Sequence, residues 1–295
     1  MITVYNITWS NNLIGGVETM LKAFELSNPS KQFVCLNIKD DFLKIIKLRN
    51  SNSLIFLHDY RASLLHFIFG KNACIWIHSN SKKYTYFFHH LYRVLKWSIV
   101  STGQRTYDEL RSVGLAPIKS SSISPHVYNV IHDRYTKEDH TIWIGRNSLE
   151  KGVDRLEKIW TLVARKHLGF HYLDVIGFSK EYSGDDRIKY IGAVQNDKIA
   201  DYLVSARYFL VTSYRESGIP LGVQEALVYG CKIISSNVGD ISLIVGDNVF
   251  VYNDLNDLNS KYFAEWSKIP WNRDQAIAVI ENVKSQFNES LGKIW

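Results

Sequence analysis

Along the chain, short runs rich in β-branched and aromatic residues alternate with stretches of helical periodicity, which is the sequence form of parallel strands joined by crossover helices. In the first half the pattern predicts strands over 2–9, 32–38, 53–58, 73–78 and 98–101 and a weaker one over 121–124, with helices between them, among them 17–27 and 106–113. The alternation lapses over 125–137, where Asn, His, Asp and Tyr accumulate, and then restarts with strands over 140–144, 172–176, 188–191, 208–212, 232–235 and 249–251. Two α/β units in succession are therefore expected, 1–128 and 129–271, followed by a helical tail over 272–295 with no strand after it. There is no internal repeat and no low-complexity tract.

The length of 295 residues agrees with two domains of ~150 residues each, and the composition, 46% hydrophobic and 22% charged, is that of an ordinary globular chain. Cys35, Cys74 and Cys231 stand far apart with no paired spacing, which argues against a zinc site or a disulfide framework and for a reducing cytoplasm. The N-terminus has no signal-peptide pattern, and no apolar run reaches the ~18–20 residues of a membrane span. Charge divides unevenly. Residues 1–128 hold 15 Lys and Arg against 7 Asp and Glu, whereas the remainder carries 20 against 22. An anionic partner is expected on the first half. Its densest basic and aromatic element, residues 82–97, has the spacing of a helix that could lie on anionic lipid headgroups. No RNA-binding or helix-turn-helix signature accompanies it, so nucleic acid is not expected as a partner.

In open α/β sheets ligands bind beyond the carboxyl ends of the strands, so chemistry is sought in the loops there. The chain lacks GxGxxG, a Walker phosphate loop, HExxH and GxSxG, which removes the usual dehydrogenase, ATPase, zinc protease and serine hydrolase readings. Three loops hold something else. The first carries Gly15 and Gly16 just before a helix, where backbone amides and the helix N-terminus favour an anion. The second, after the strand 140–144, carries Arg146 and Lys151, two cations able to converge on one anionic group without a metal. The third runs from Tyr214 to Leu227. Glu216 lies ahead of Pro220, which suits a first helical position, and Glu225 in the early turns leans back toward the helix start, so both carboxylates can accept hydrogen bonds from ligand hydroxyls.

These residues resemble, in order along nearly the whole chain, the GT-B glycosyltransferases and in particular the large retaining family 4. The likeness rests on Gly15-Gly16-Val17-Glu18, on Gly145-Arg146 through Glu150-Lys151-Gly152, on Glu216 with Glu225-Ala226-Leu227-Val228-Tyr229-Gly230, and on the continuation from Lys232 to Asp240. The resemblance implies two Rossmann-like domains facing each other across a cleft, with the acceptor on the first, the nucleotide sugar on the second, and the final helix crossing back to the first. It implies Arg146 and Lys151 on the donor diphosphate, Glu225 on the ribose hydroxyls, Glu216 on the transferred sugar, and His78 as the active-site histidine beside that sugar. His58 and Asp59, at the end of the preceding strand, could line the acceptor side.

Two features depart from the family pattern. Eight residues separate Glu216 from Glu225 where the family usually has seven, and the phenylalanine expected after the first glutamate is absent; Ser217 or the amides of Gly218 and Ile219 could share its role. The chain is also short, so its first domain must be pared down. The resemblance implies a retaining hexosyltransferase using a nucleotide diphosphate sugar, UDP- or GDP-linked, on a saccharide or lipid-linked acceptor in bacterial surface polysaccharide assembly. No metal or other cofactor is expected, because Asp185-Asp186 reads as a solvated polar turn. The expected setting is the cytoplasm, with peripheral contact at the inner membrane face. The alternatives are a GT-B nucleotide-sugar epimerase and a non-catalytic module that binds a sugar nucleotide or a membrane surface.

Overall fold

The computed structural model describes residues 3–8, 16–51, 53–58, 62–69, 72–78, 85–129, 131, 136–166, 172–180 and 184–294. The chain divides into two compact units, one made of residues 1–128 with 283–295 and the other of residues 129–282.

The first unit is built on β1 (Thr3–Thr8), α1 (Gly16–Ser27), β2 (Gln32–Asn37), α2 (Ile38–Lys47), β3 (Leu54–His58), α3 (His66–Phe69), β4 (Ala73–Ile77), α4 (Thr85–Leu95), β5 (Ser98–Thr102), α5 (Gly103–Ser112) and β6 (Ile118–Ser120). Its six strands are parallel in the order β2-β1-β3-β4-β5-β6. A parallel sheet covered on both faces needs unbroken apolar strands, and Ala73–Ile77, buried at every position, is one. α2 starts where Asn37 leaves the ladder: its Oδ1 accepts the Lys39 amide at 2.8 Å, while Asp41 accepts the Asn37 amide at 3.1 Å.

The last strand of this sheet is not the expected 121–124 but Ile118–Ser120, paired with β5 from Val100↔Ile118 onward. The serines beyond it have other partners. Ser121 donates its hydroxyl to Gln286 and Ser124 accepts the His126 amide, which takes this stretch out of the ladder. Likewise the helix expected over 106–113 begins earlier, at Gly103, whose φ of 79° turns the chain directly from β5 into α5.

The second unit contains β7 (Glu138–Ile144), α6 (Val153–Lys166), β8 (Tyr172–Ile176), β9 (Ile188–Gly192), α7 (Ile199–Ser205), β10 (Ala206–Val211), α8 (Leu221–Val228), β11 (Lys232–Ser236), β12 (Val249–Tyr252) and α9 (Lys261–Lys268). Again six parallel strands form one sheet, in the order β12-β11-β10-β7-β8-β9. One face packs Ile142, Phe209, Val211 and Ala226 together, the other Trp143, Trp160, Leu210 and Phe263. Both units are thus doubly wound, as the alternating pattern predicts.

The final helix, α10 (Arg273–Ile294), begins in the second unit, and its residues from Val283 onward belong to the first. There Phe287 is fully buried with its ring centroid 4.9 Å from that of Phe24, and Ser290 shares a 2.8 Å hydrogen bond with Ser120. A fully buried side chain of this size contributes about 1.5–3 kcal/mol. Trp76, edge-on to both Phe24 and Phe56, extends the same aromatic cluster into the sheet.

Candidate active site

In the second sheet β7 and β10 are neighbours, but the chain leaves β7 toward β8 and leaves β10 toward β11, in opposite directions. Loops that part in this way open a crevice at the carboxyl ends of the two strands, which is where ligands bind in doubly wound sheets. The loops carrying Lys151 and Glu216 are these two.

The loop after β7 is fixed by its fit against the end of β10. A single turn of 3₁₀ helix, Leu149–Lys151, closes at Gly152 with φ 70°. A Cβ at that position would lie 1.9 Å from the Thr212 carbonyl oxygen, so the approach requires glycine both for its backbone angle and for its missing side chain. Thr212 accepts the indole N–H of Trp143 at 2.9 Å and donates its own hydroxyl to the Lys151 carbonyl at 2.8 Å. The Tyr214 amide donates to the Glu150 carbonyl at 2.9 Å. From α6, Arg155 donates to the carbonyls of Thr212 and Ser213 at 2.7 and 2.6 Å, and its guanidinium lies 3.9 Å from the centre of the Tyr214 ring. Few degrees of freedom remain to the two loops.

At their junction Lys151 Nζ lies 2.6 Å from Glu216 Oε1. The same oxygen accepts the Ser213 hydroxyl at 2.7 Å. Neither side chain is sealed off, Lys151 keeping 27% and Glu216 17% of its side-chain surface in solvent. Among the described residues Glu216 Oε2 has no partner, and an ammonium has three N–H groups of which this pair uses one. The arrangement therefore holds an acceptor and a cation ready for further hydrogen bonds.

Below Glu216 the loop is clamped by the turn after β11. Gly239, with φ 53°, passes so close that a Cβ there would lie 2.1 Å from the Gly218 carbonyl, and the Asp240 amide donates to that carbonyl at 3.3 Å. Gly218 is buried, while Ser217 and Ile219 are half-buried. Pro220, expected as the first helical residue, is instead the cap: its ψ is 140°, and its carbonyl accepts the amides of Val223 and Gln224. α8 is buried from Val223 to Val228. Gln224 turns back to donate to the Ile219 carbonyl at 3.0 Å, which is the lean toward the helix start that side chains in this register have. Glu225, next to it, is 7% exposed.

Arg146 stands apart from this pair. Its side chain is 74% exposed and its nearest acid is Glu150, 3.9 Å away. Thr212, Ser213 and Arg155 hold the site together and belong to none of the motifs, and Gly239 lies in the continuation 232–240 with no role expected of it; the one sign of Thr212 and Ser213 in the sequence is their place at the end of a strand.

In the first unit three side chains form a row across β1, β3 and the end of β4. Asn6 Oδ1 lies 3.0 Å from His58 Nε2, and His58 Nδ1 lies 2.8 Å from His78 Nε2, with the two imidazoles 5.1 Å apart and 18° from parallel. The sequence points to His58 on an acceptor face; its ring is instead buried, 2% exposed, and both of its nitrogens are engaged in the row. His78 is half-buried, with no partner for Nδ1 among the described residues. Burial lowers the pKa of His78 to about 4, and burial followed by the charge of His78 holds His58 well below the ordinary histidine range. Gly15 and Asp59 lie outside the described residues, as do residues 82–84 of the basic aromatic stretch; Gly16 opens α1.

Among the described residues no group of three or more His, Cys, Asp or Glu side chains is arranged to hold a metal ion, and no helix is long and apolar enough to cross a membrane. Asp185 is taken up by Arg187, which donates to its two oxygens at 2.9 and 2.6 Å.

Residues 138–262 match the family described as Glycosyl transferases group 1. None of the curated proteins matches the sequence. Among solved structures the chain is similar to Anabaena HepE in complex with UDP-glucose, with 12% identity, a TM-score of 0.70, and coverage of 100% of this chain and 99% of that one. It is also similar to sucrose-phosphate synthase from Thermosynechococcus elongatus, with 12% identity, a TM-score of 0.69, and 99% and 97% coverage. A third similar structure is S. aureus TarM in complex with fondaparinux, α-GlcNAc-glycerol and UDP, with 13% identity, a TM-score of 0.59, and 85% and 58% coverage. The fold is GT-B, and the family match over the second unit, together with that fold, supports a GT-B glycosyltransferase.

Proposed function

We propose that the chain is a retaining, metal-independent glycosyltransferase of family 4 that moves a hexose-type sugar from a nucleotide diphosphate sugar to a saccharide or lipid-linked saccharide. The observation that carries the reading is the Lys151–Glu216 pair at the parting of β7 and β10, in a chain whose residues 138–262 match group 1 glycosyl transferases. The UDP and UDP-glucose held by HepE favour a UDP-sugar donor over a GDP-sugar.

Breaking the bond between the sugar and the diphosphate leaves negative charge on phosphate oxygen and positive charge on the sugar ring. Lys151 neutralises the first with the N–H groups that Glu216 does not use, and Arg146, exposed to solvent, swings onto the same diphosphate. Glu216 is anchored through Oε1 by Lys151 and Ser213, so Oε2 accepts a hydroxyl of the transferred sugar. Ser217 and the amides of Gly218 and Ile219 extend that grip, Glu225 accepts from the ribose, and the amides near Gly15 and Gly16 add to the stabilisation of the diphosphate. His78 meets a sugar hydroxyl. The acceptor hydroxyl attacks on the face the diphosphate leaves, and its proton passes to the departing phosphate oxygen. The configuration is retained with no protein nucleophile.

A bacterial surface polysaccharide built on a lipid carrier suits the basic first half, which carries 15 Lys and Arg against 7 Asp and Glu. Exposed Phe67 packs edge-on against Trp97, close in sequence to exposed Val94 and Leu95, apolar groups of the kind an anionic membrane surface would cover. Co-flotation with anionic liposomes at low salt is expected; its absence would remove the membrane from the reading.

The deciding experiment is thermal stabilisation by UDP, GDP, dTDP and ADP, in which the cognate nucleotide at 100 times its Kd adds about 2.7 kcal/mol. The matching nucleotide sugar is then given with and without a saccharide acceptor. Nucleotide release that depends on the acceptor supports transfer, acceptor-independent release identifies an epimerase or hydrolase, and stabilisation by none of the four nucleotides overturns the reading.

A further inference from the structure

Asn6, His58 and His78 come from three neighbouring strands, and the row they form has a direction. A neutral imidazole has one N–H and one lone pair, so each hydrogen bond in a chain of imidazoles fixes the next. Asn6 is fully buried; its carbonyl oxygen, which can only accept, faces His58 Nε2 at 3.0 Å, and its Nδ2 is buried with no partner among the described residues. His58 must then carry its hydrogen on Nε2. Its Nδ1 is left as a lone pair, and the 2.8 Å contact to His78 Nε2 requires the hydrogen there to belong to His78. His78 in turn is left with a bare Nδ1, the atom that has no partner among the described residues.

We propose that Asn6 and His58 are positioning residues that hold His78 in the Nε2–H tautomer, so that its Nδ1 presents a lone pair to a hydroxyl hydrogen of the carbohydrate substrate. This rests on the glycosyltransferase reading for the identity of the ligand, but the tautomer itself does not depend on it. The device suits the chemistry of transfer. A sugar hydroxyl that donates to a fixed, neutral acceptor keeps its oxygen lone pairs turned toward the electron-poor ring, whereas an imidazolium would add positive charge beside a centre already becoming positive. Burial keeps both rings neutral, with His78 lowered to about 4 and His58 well below its ordinary value. Stacking against Trp76, whose ring lies 25° from that of His58 and 13° from that of His78, holds the planes in register.

The test is a long-range ¹⁵N–¹H correlation spectrum of the full chain labelled in its histidine rings, with the resonances assigned by the variants H58Q and H78Q. The expected result for the free protein is protonated Nε2 and bare Nδ1 on both rings. Protonated Nδ1 on His78 would mean that donation runs the other way, from the Asn6 amide outward, and overturns the proposal without any variant. The variant Asn6→Leu removes the acceptor that sets the direction; His78 is expected to shift to averaged ¹⁵N values and kcat to fall tenfold or more, with nucleotide affinity changed far less than kcat because the charged contacts to the diphosphate, Lys151 and Arg146, are on the second unit. An Asn6→Leu protein that folds and keeps the wild-type His78 shifts would equally overturn it. Should the wild-type protein show the expected tautomers and no sugar transfer, the glycosyltransferase reading fails while the tautomer assignment stands.

Discussion

The hydroxyl of Thr212 donates to the carbonyl oxygen of Lys151 at 2.8 Å, so the residue directly after β10 fixes the loop that carries the candidate cation after β7. The same hydroxyl oxygen accepts the buried indole N–H of Trp143. Replacing the hydroxyl by a methyl of equal size, Thr212→Val, leaves that N–H without an acceptor and frees the Lys151 carbonyl. A loss of about 1–3 kcal/mol is expected, read as a lower denaturant midpoint, together with weaker binding of the cognate nucleotide. Thr212→Ser should restore both, because it keeps the oxygen.

Gly152→Ala is expected to be worse. The left-handed angle alone costs about 1–2 kcal/mol for a residue with a Cβ, and here that Cβ would lie 1.9 Å from the Thr212 carbonyl. Since the loop must move to relieve the contact, the midpoint should fall and stabilisation by the nucleotide should be lost with it. A variant with the wild-type midpoint and nucleotide response would show that the loop is not held as described.

Lys151→Ala should lower kcat by on the order of 10² to 10³, the usual loss when one group stabilising a developing anion is removed. Glu216→Gln keeps one hydrogen-bond acceptor, for Ser213, but loses the ion pair and turns an amide donor toward the sugar hydroxyl, so its defect should be smaller than that of Glu216→Ala but clear. Steady-state kinetics on the three variants check the order, and wild-type turnover in Lys151→Ala would contradict the role given to it.

Acid should destabilise the protein through the histidine row. The unfolded chain takes up protons near pH 6.5, whereas folded His78 resists until about 4 and His58 lies well below its ordinary range. Between these limits the unfolded state binds more protons, so stability is full above about pH 6.5 and falls as the pH drops toward 4, each ring contributing a slope of up to about 1.4 kcal/mol per pH unit. Denaturant unfolding of wild type and His78→Gln across this range measures the difference. The variant should show the shallower slope.

Chelators should leave turnover unchanged, since the proposed chemistry uses Lys151 and Arg146 in place of a metal and the Asp185 carboxylate is already paired with Arg187. An activity lost with chelation and restored by a divalent cation would refute this.

The two sheets are legible in the chain alone, because apolar runs such as 73–77 and 208–211 can be buried on both sides only as inner parallel strands, a local property that survives without any knowledge of neighbours. It also marked the loops after β7 and β10, since Gly152 and the glycine and proline around Glu216 punctuate the pattern at strand ends. The short strand Ile118–Ser120 lies a few residues before the position the pattern predicts, because Ser121 just after it takes its partner, Gln286, from α10, 165 residues further along the chain. For the same reason the sequence could not show that Lys151 meets Glu216 rather than Arg146, or that His58 lies between Asn6 and His78. Those relationships join residues 65, 52 and 20 positions apart, and they depend on which strand lies beside which and how their ends are aligned. Strand order is a property of the assembled sheet. No local pattern of hydrophobic and polar positions encodes it, so the site's raw materials were legible in the chain and their pairing was settled only by tertiary structure.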